Sequence, residues 1–352
     1  MARARVYLDW NATAPLRPEA RAAMAAAMDL VGNPSSVHAE GRAARALVER
    51  ARAQVADAFG ADPAGVVFTS GATEAAALAL AGRGLAAAAV EHDCVAAWTE
   101  AVLPVDGEGR VTPADPARSA LQAANSETGV VQDLPRGLGF VDAAQAAGKV
   151  PFAFGWTGAA AAAISAHKLG GPKGAGALLL APGVEVEALL RGGGQEAGRR
   201  AGTENLIGIA GFGAAAAAAA RDLADGVWQR VAEVRNILEA ALEAAAPETK
   251  IVGKGAVRLP NTTCLATAGW KGETQVIQMD LAGFAVSSGS ACSSGKVRAS
   301  RTLAAIGLDA ATAAGAIRVS IGPGTTAAEA MAFAAAWEEQ HRRFRAKARA
   351  AA

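Results

Sequence analysis

Val66-Val67-Phe68-Thr69-Ser70-Gly71-Ala72-Thr73-Glu74 is the stretch whose reading decides the fold. Its first four residues are apolar or β-branched, the next are small, and from Ala75 to Ala81 the chain is a continuous helix former. This is a strand, a tight turn and a helix. Small residues let the backbone N–H groups of a helix N-terminus come close to an anion, and Thr73 adds a hydroxyl, so the turn suits a phosphate. The same residues also suit a simple helix cap. The turn is neither a GxGxxG nor a Walker A pattern, which argues against a nucleotide.

The alternation spreads in both directions. Strands are expected at 6–8, 87–90, 121–124, 139–141, 162–165 and 177–180. Helices are expected at 18–28 and 39–59 on the N-terminal side. Such a pattern predicts an α/β fold with a mostly parallel sheet covered on both faces. After a charged amphipathic helix at 228–245 the texture changes to short strands (251–252, 262–265, 286–287, 317–320) and a helix at 300–306, an α+β pattern. We therefore expect a large α/β domain over 13–223 and a smaller α+β C-terminal domain over 224–352, joined by the N-terminal segment 1–12. A length of 352 residues fits about two domains.

Composition narrows the function. The chain is 52% hydrophobic and 19% charged, which excludes disorder. Thirty-four Lys and Arg against 33 Asp and Glu leave a net charge of +1, so no field draws nucleic acid or an anionic membrane, and small partners are expected. Cys94, Cys264 and Cys292 are too far apart for a CxxC metal site or an even disulfide framework. The charged start, with Asp9 interrupting the first apolar run, does not read as a signal peptide, and the alanine runs 159–163 and 214–220 are too short for a bilayer. A cytoplasmic protein is expected.

Chemistry enters with two further residues. Asp142 ends an apolar strand, where an isolated Asp is ordinarily a helix cap. Lys168 follows in Ser165-Ala166-His167-Lys168-Leu169-Gly170-Gly171, a lysine at a strand end among small residues. A desolvated lysine amine forms a Schiff base with an aldehyde, and a buried carboxylate keeps a pyridine nitrogen protonated. Phosphate cradle, acid and lysine, in that order, are the parts of a pyridoxal 5'-phosphate site.

With those residues in place the sequence resembles the cysteine desulfurases of the class V aminotransferase family, the NifS/IscS-like enzymes. The resemblance runs through Tyr7-Leu8-Asp9-Trp10-Asn11-Ala12-Thr13-Ala14-Pro15, Gly32-Asn33-Pro34-Ser35-Ser36, the 68–74 turn, Asn125-Ser126-Glu127-Thr128-Gly129, the Asp142 and Lys168 segments, Arg200-Ala201-Gly202-Thr203, Ser287-Ser288-Gly289-Ser290-Ala291-Cys292 and Ile317-Arg318-Val319-Ser320-Ile321-Gly322. It implies the fold type I architecture of pyridoxal-phosphate-dependent transferases. By the resemblance, Lys168 carries the cofactor, Asp142 pairs with its ring nitrogen and His92 stacks on its face. Ala72, Thr73, Ser165 and His167 take the phosphate, with Thr203 reaching the neighbouring subunit's cofactor. Gln145 contacts the phenolic oxygen, Asn125 and Ser126 lie near the ring, and Arg318 with Asn33 holds the substrate carboxylate. A homodimer with shared sites follows.

Cys292 decides the reaction. Its neighbours are small and polar, which suits a side chain that reaches the substrate and then withdraws, whereas a core cysteine has bulky apolar neighbours. The resemblance makes it the nucleophile that takes sulfur from L-cysteine, leaving alanine and a persulfide for an iron-sulfur scaffold or another acceptor protein. Lys296 and Arg298 lie near it and would favour the thiolate. Cys264 reads as buried and inert, and the family assigns Cys94 no task. His341 reads as a surface or core residue, and the basic 342–345 tail as a solvated face.

Three features depart from the family: Ser126 stands where a second asparagine is usual, the segment between His92 and Asn125 is short, and the chain stops soon after its last helix. A selenocysteine lyase or an aminotransferase on the same cofactor, or a non-catalytic cofactor-binding or sulfur-carrier homologue, are the alternative readings.

Overall fold

The computed structural model describes residues 5–289 and 300–350. Its central sheet has five strands in the order Val66–Thr69, Gly176–Leu180, Ala161–Ser165, Phe140–Asp142, Ala120–Gln122. Four of these run in one direction and Gly176–Leu180 runs against both neighbours, so the expected parallel sheet is a mixed one. The reversed strand follows Ala161–Ser165 through the turn that carries Lys168, and an antiparallel return needs no crossover helix. The 87–90 strand is displaced from this sheet. Ala86–Ala88 instead pairs with Glu100–Leu103 and touches the sheet edge by a bridge to Ser119.

Both faces of the sheet are covered, and the side chains alternate accordingly. Phe68, Val141, Ile164 and Leu179 enter one core with Val48, Val55 and Phe212 of the helices Ala39–Phe59 and Leu206–Ala224. Val67, Phe140, Ala163 and Leu178 enter the other, beneath the helix Ala72–Leu80. Leu206–Ala224 is long and apolar enough to cross a membrane by length and composition alone, longer than the alanine run within it suggests. It lies against Pro18–Met28 and Ala39–Phe59 with Ile209 and Phe212 buried, the setting of a core helix.

A second core forms around the antiparallel sheet Ser287–Ser288, Ala316–Ser320, Thr262–Ala266, Lys250–Ile251. Leu265, Ile317 and Val319 face Trp228, Leu238, Phe333 and Trp337 of the helices Val227–Ala245 and Ala327–Ala350. On the opposite face Cys264 packs with Leu303 and Ile306, fully buried, and burial pushes its thiol up to about 12. His341 is buried as well, stacked on Trp337.

The chain's beginning belongs to this second core. Val6–Tyr7 pairs in parallel with Phe284–Ala285, Leu8 is buried there, and Asp9 bridges Ser320. The next residues, Asn11 to Thr13, cross to the large sheet, where Ala14 N–H donates to the His167 carbonyl. That crossing sets the position of the cavity.

Candidate active site

A cavity of about 590 Å³ opens at the ends of the large-sheet strands. That is the usual place for a ligand in an α/β sheet and an ordinary size for a small-molecule site. Asp142, Thr73, Ala72, Ser165, His167, Lys168, Gln145, Ser126, His92 and Arg318 all line it. Residues spread over more than 240 positions of sequence thus converge on one space.

One side of the cavity is built by the opening turn. The helix Ala72–Leu80 begins at Gly71 with no side-chain cap, so its first N–H groups are left to the cavity beside the Thr73 and Ser165 side chains. Gly176 makes the approach possible, since a Cβ there would lie 2.6 Å from the Gly71 Cα and 2.7 Å from the Ile164 carbonyl oxygen. Glu74 stays out of the cavity lining. It accepts from Ser70 N–H at 2.8 Å and from Arg200 Nε at 2.8 Å, and these partners hold its carboxyl below the ordinary range despite burial.

The neighbouring strand ends of the same sheet carry charge. Among the described residues Asp142 is the only carboxylate lining the cavity, buried, with Oδ1 accepting from Ala144 N–H at 2.9 Å. Lys168 Nζ donates to the main-chain oxygens of Asn11 at 2.7 Å and Ala12 at 3.0 Å. His92 caps the short helix Asp93–Ala96: its Nδ1 accepts from Cys94 N–H at 3.2 Å and lies 3.0 Å from the Cys94 sulfur. Burial raises the Cys94 thiol. His167 has a buried Nδ1 without a hydrogen-bond partner among the described residues, and burial, then Lys168, Lys173 and Lys149, holds its pKa down at about 4.

Arg318 is buried on the strand Ala316–Ser320. It donates to Asp9 Oδ1 at 2.8 Å and to the Ser126 carbonyl at 3.0 Å, and its Nε has no partner among the described residues. Asp9 Oδ2 in turn accepts from Ser287 Oγ at 2.8 Å.

Three expected residues stand elsewhere. Asn125 is buried outside the cavity lining. Its Oδ1 accepts from Glu127 and Thr128 N–H and its Nδ2 donates to the Val90 carbonyl, so the side chain builds the turn and leaves Ser126 to face the cavity. Asn33 is exposed in the loop before Ala39–Phe59, where it accepts from Ser35 N–H, and it does not meet Arg318 within this chain. Thr203 lines a smaller neighbouring cavity of about 200 Å³ that shares Ser70 and Gly174 with the main one.

Cys292, Lys296 and Arg298 lie outside the described residues. The residues that bracket them are described. Gly289 approaches Glu127 closely enough that a Cβ would sit 3.3 Å from Oε2, and Ser300 Oγ donates to the same oxygen at 2.6 Å. Glu127 itself follows Ser126 of the cavity wall.

Asn11 and Gln122 line the cavity and Lys149 lies behind Gln145, and motif reading left all three without a role. Asn11 sits between the two cores, fully buried, with every side-chain polar atom paired. Lys149 is the single charged residue in the apolar run 143–150, and that isolation was the available signal.

The donor set fits pyridoxal 5'-phosphate. A helix N-terminus, a partnerless buried imidazole nitrogen and nearby lysines suit a phosphate. The Asp142 carboxylate in the lining suits a ring nitrogen, and the lysine amine suits the aldehyde.

The comparisons agree with this chemistry. The family model for aminotransferase class-V matches residues 6–101 and 111–333. The chain is 39% identical to a cysteine desulfurase from Cereibacter sphaeroides over 92% of each chain. It is 36% identical to a cysteine desulfurase IscS from Dictyoglomus turgidum, covering 91% of this chain and 90% of the relative. Among solved structures, a NifS-like protein from Rickettsia africae superposes with a TM-score of 0.87 at 29% identity, over 96% of this chain and 99% of that one. Matched along nearly its whole length, the chain belongs to the aminotransferase class-V family and is a pyridoxal-phosphate-dependent cysteine desulfurase.

Proposed function

We propose that the roles in this desulfurase are divided as follows. Lys168 carries the cofactor, Asp142 meets the ring nitrogen, His92 lies over the ring, and Ala72, Thr73, Ser165 and His167 hold the phosphate. Gln145 meets the phenolic oxygen, Arg318 binds the substrate carboxylate, and Cys292 receives the sulfur. When bound, the cofactor supplies an electron sink for the carbon next to the substrate carboxylate.

The protein's own groups supply the rest. The Lys168 amine is held toward the cavity by the Asn11 and Ala12 carbonyls and serves as the base for the α-proton once it is released. Because His92 Nδ1 accepts from a backbone N–H, the neutral ring carries its proton on Nε2 and acts as a donor. Low proton affinity keeps His167 an uncharged donor and acceptor. Arg318 is preset by Asp9 and Ser126, so a substrate carboxylate meets a guanidinium whose orientation is already fixed.

The Cys292 thiolate then attacks the substrate sulfur: the S–S bond of a persulfide forms, the substrate C–S bond breaks, and its electron pair stays on the carbon that a proton converts to the methyl group of alanine. The persulfide sulfur goes to an iron-sulfur scaffold or another sulfur acceptor. Thr203, away from this chain's main cavity, serves the site of a second subunit in a homodimer. A cytoplasmic setting suits a free nucleophilic thiol.

The observation that carries this reading is the convergence of Lys168, Asp142, His92, His167 and Arg318 on one cavity. The test is an absorption spectrum with the cofactor, and sulfide and alanine release from cysteine with a reductant. The wild type is expected to be coloured and to release both. Lys168→Ala loses the visible band and the activity, while Cys292→Ala keeps the band and releases no sulfide. A coloured wild type that forms no alanine overturns the reading.

A further inference from the structure

Lys149 is fully enclosed, and no step above uses it. Its Nζ donates to Gln145 Oε1 at 2.7 Å and to Asn11 Oδ1 at 3.1 Å. Gln145 Nε2 donates to the Asn11 main-chain oxygen at 3.0 Å. Which end of a glutamine amide is oxygen follows from its partners. Here the partners are unambiguous: an amine on one side, which offers N–H groups, and a carbonyl on the other, which only accepts. The amide can point in one sense alone, with its second Nε2–H left over. Gln145 lines the cavity and so presents it with a donor.

We infer that Lys149 is a positioning residue that, together with the Asn11 carbonyl, locks Gln145 as a hydrogen-bond donor toward the ionised phenolic oxygen of the bound cofactor. The inference rests on the cofactor reading above and names a residue that reading leaves unused. The wiring also has a charge logic. Burial, then the nearby Lys168 and Arg318 charges, push the Lys149 amine well below its ordinary range. Its two acceptors here call on two N–H groups of the amine.

Without Lys149, a buried amide oxygen loses its partner. The amide then turns toward other donors of the cavity, which takes its N–H away from the phenolic oxygen. A donor there lowers the proton affinity of the cofactor's imine nitrogen, so its loss raises the pH at which the visible band converts from the protonated to the unprotonated form.

The test compares that midpoint in the reconstituted wild type, Lys149→Met, Lys149→Gln and Gln145→Leu, together with thermal unfolding of each cofactor-free protein. Gln145→Leu is expected to raise the midpoint by about one pH unit, the size of one hydrogen bond to a charged group. Lys149→Met is expected to raise it by at least half as much, and the Lys149→Met/Gln145→Leu double variant no further than Gln145→Leu alone. Lys149→Gln keeps an N–H for the same oxygen, so it holds the midpoint near the wild type and provides a milder variant should the methionine protein fail to fold. A Lys149→Met protein that binds cofactor with an unchanged midpoint, or merely unfolds at lower temperature, overturns the inference and leaves the functional reading intact. Should Lys149→Met not fold, a Lys149→Gln midpoint raised as far as that of Gln145→Leu overturns it equally. A wild type that takes up no cofactor overturns the functional reading itself.

Discussion

The two walls of the cavity are built on different principles. The sheet wall, with the 68–74 turn, Asp142 and Lys168, is made of strand ends and short turns of one sheet, and steric fit governs it. The far wall, with Asp9, Asn11, Ser126 and Arg318, is tied by side chains up to 309 positions apart. Electrostatics govern it, because a buried guanidinium and a half-buried carboxylate answer one another. The first wall can form once the large sheet forms, whereas the second exists only after both cores have met through residues 9–13.

The largest effect is expected at the far wall and depends on pH. Burial holds the Glu127 carboxyl up at about 7, against 4.5 unfolded. Between these values the unfolded chain releases a proton that the folded one keeps, so folding loses stability as pH rises through this window. Glu127→Gln removes that loss. Relative to wild type, denaturant unfolding is expected to show a gain growing from near zero at pH 4 to about 3 kcal/mol at pH 8. A gain that does not vary with pH would contradict the assignment.

Arg318→Gln sharpens the comparison from the substrate side. It removes a charged donor pair while leaving the sheet wall whole, so the KM for cysteine is expected to rise about 100-fold with cofactor uptake unchanged. Loss of cofactor in this variant would mean that the two walls are not separable.

The sheet wall should fail sterically instead. Gly176→Ala places a Cβ against the Gly71 Cα and the Ile164 carbonyl, and an overpacked methyl of this kind costs about 2 kcal/mol. A lower Tm together with weaker cofactor binding is the expected result. A variant with native Tm would show that the turn can yield.

The smallest effect is expected at Glu74→Gln, which weakens the tie between the phosphate turn and the Arg200 loop that leads to Thr203. For a half-buried pair about 1 kcal/mol is expected, read as a several-fold weaker cofactor affinity. The wild-type contribution is present above the unfolded carboxylate pKa and fades as pH falls through the lowered folded value, so the difference between the two proteins should shrink in acid.

Much of the sheet wall was legible before any coordinates. The helices Pro18–Met28 and Ala39–Phe59 match their sequence readings end to end, because proline at the first turn, glycine at the last and the apolar spacing act locally. Strand direction was not legible. Nothing in the apolar run 176–180 tells whether it returns antiparallel, and a buried strand reads alike either way. Asn125 misled for a related reason: a motif fixes which residues are present but not which of two adjacent side chains turns inward.

The sequence by itself determined the chemistry. Lys168, Asp142, His167 and the 70–74 turn each carry their reactivity in residue type and immediate neighbours, and short-range order along the chain is enough to specify them. Only the tertiary structure decided how the far wall is wired: that Asp9 answers Arg318, that Asn11 joins both cores, and that Lys149 faces Gln145. Those contacts depend on burial and on loop closures across most of the chain, and pairing energies of buried polar groups have no counterpart in local sequence.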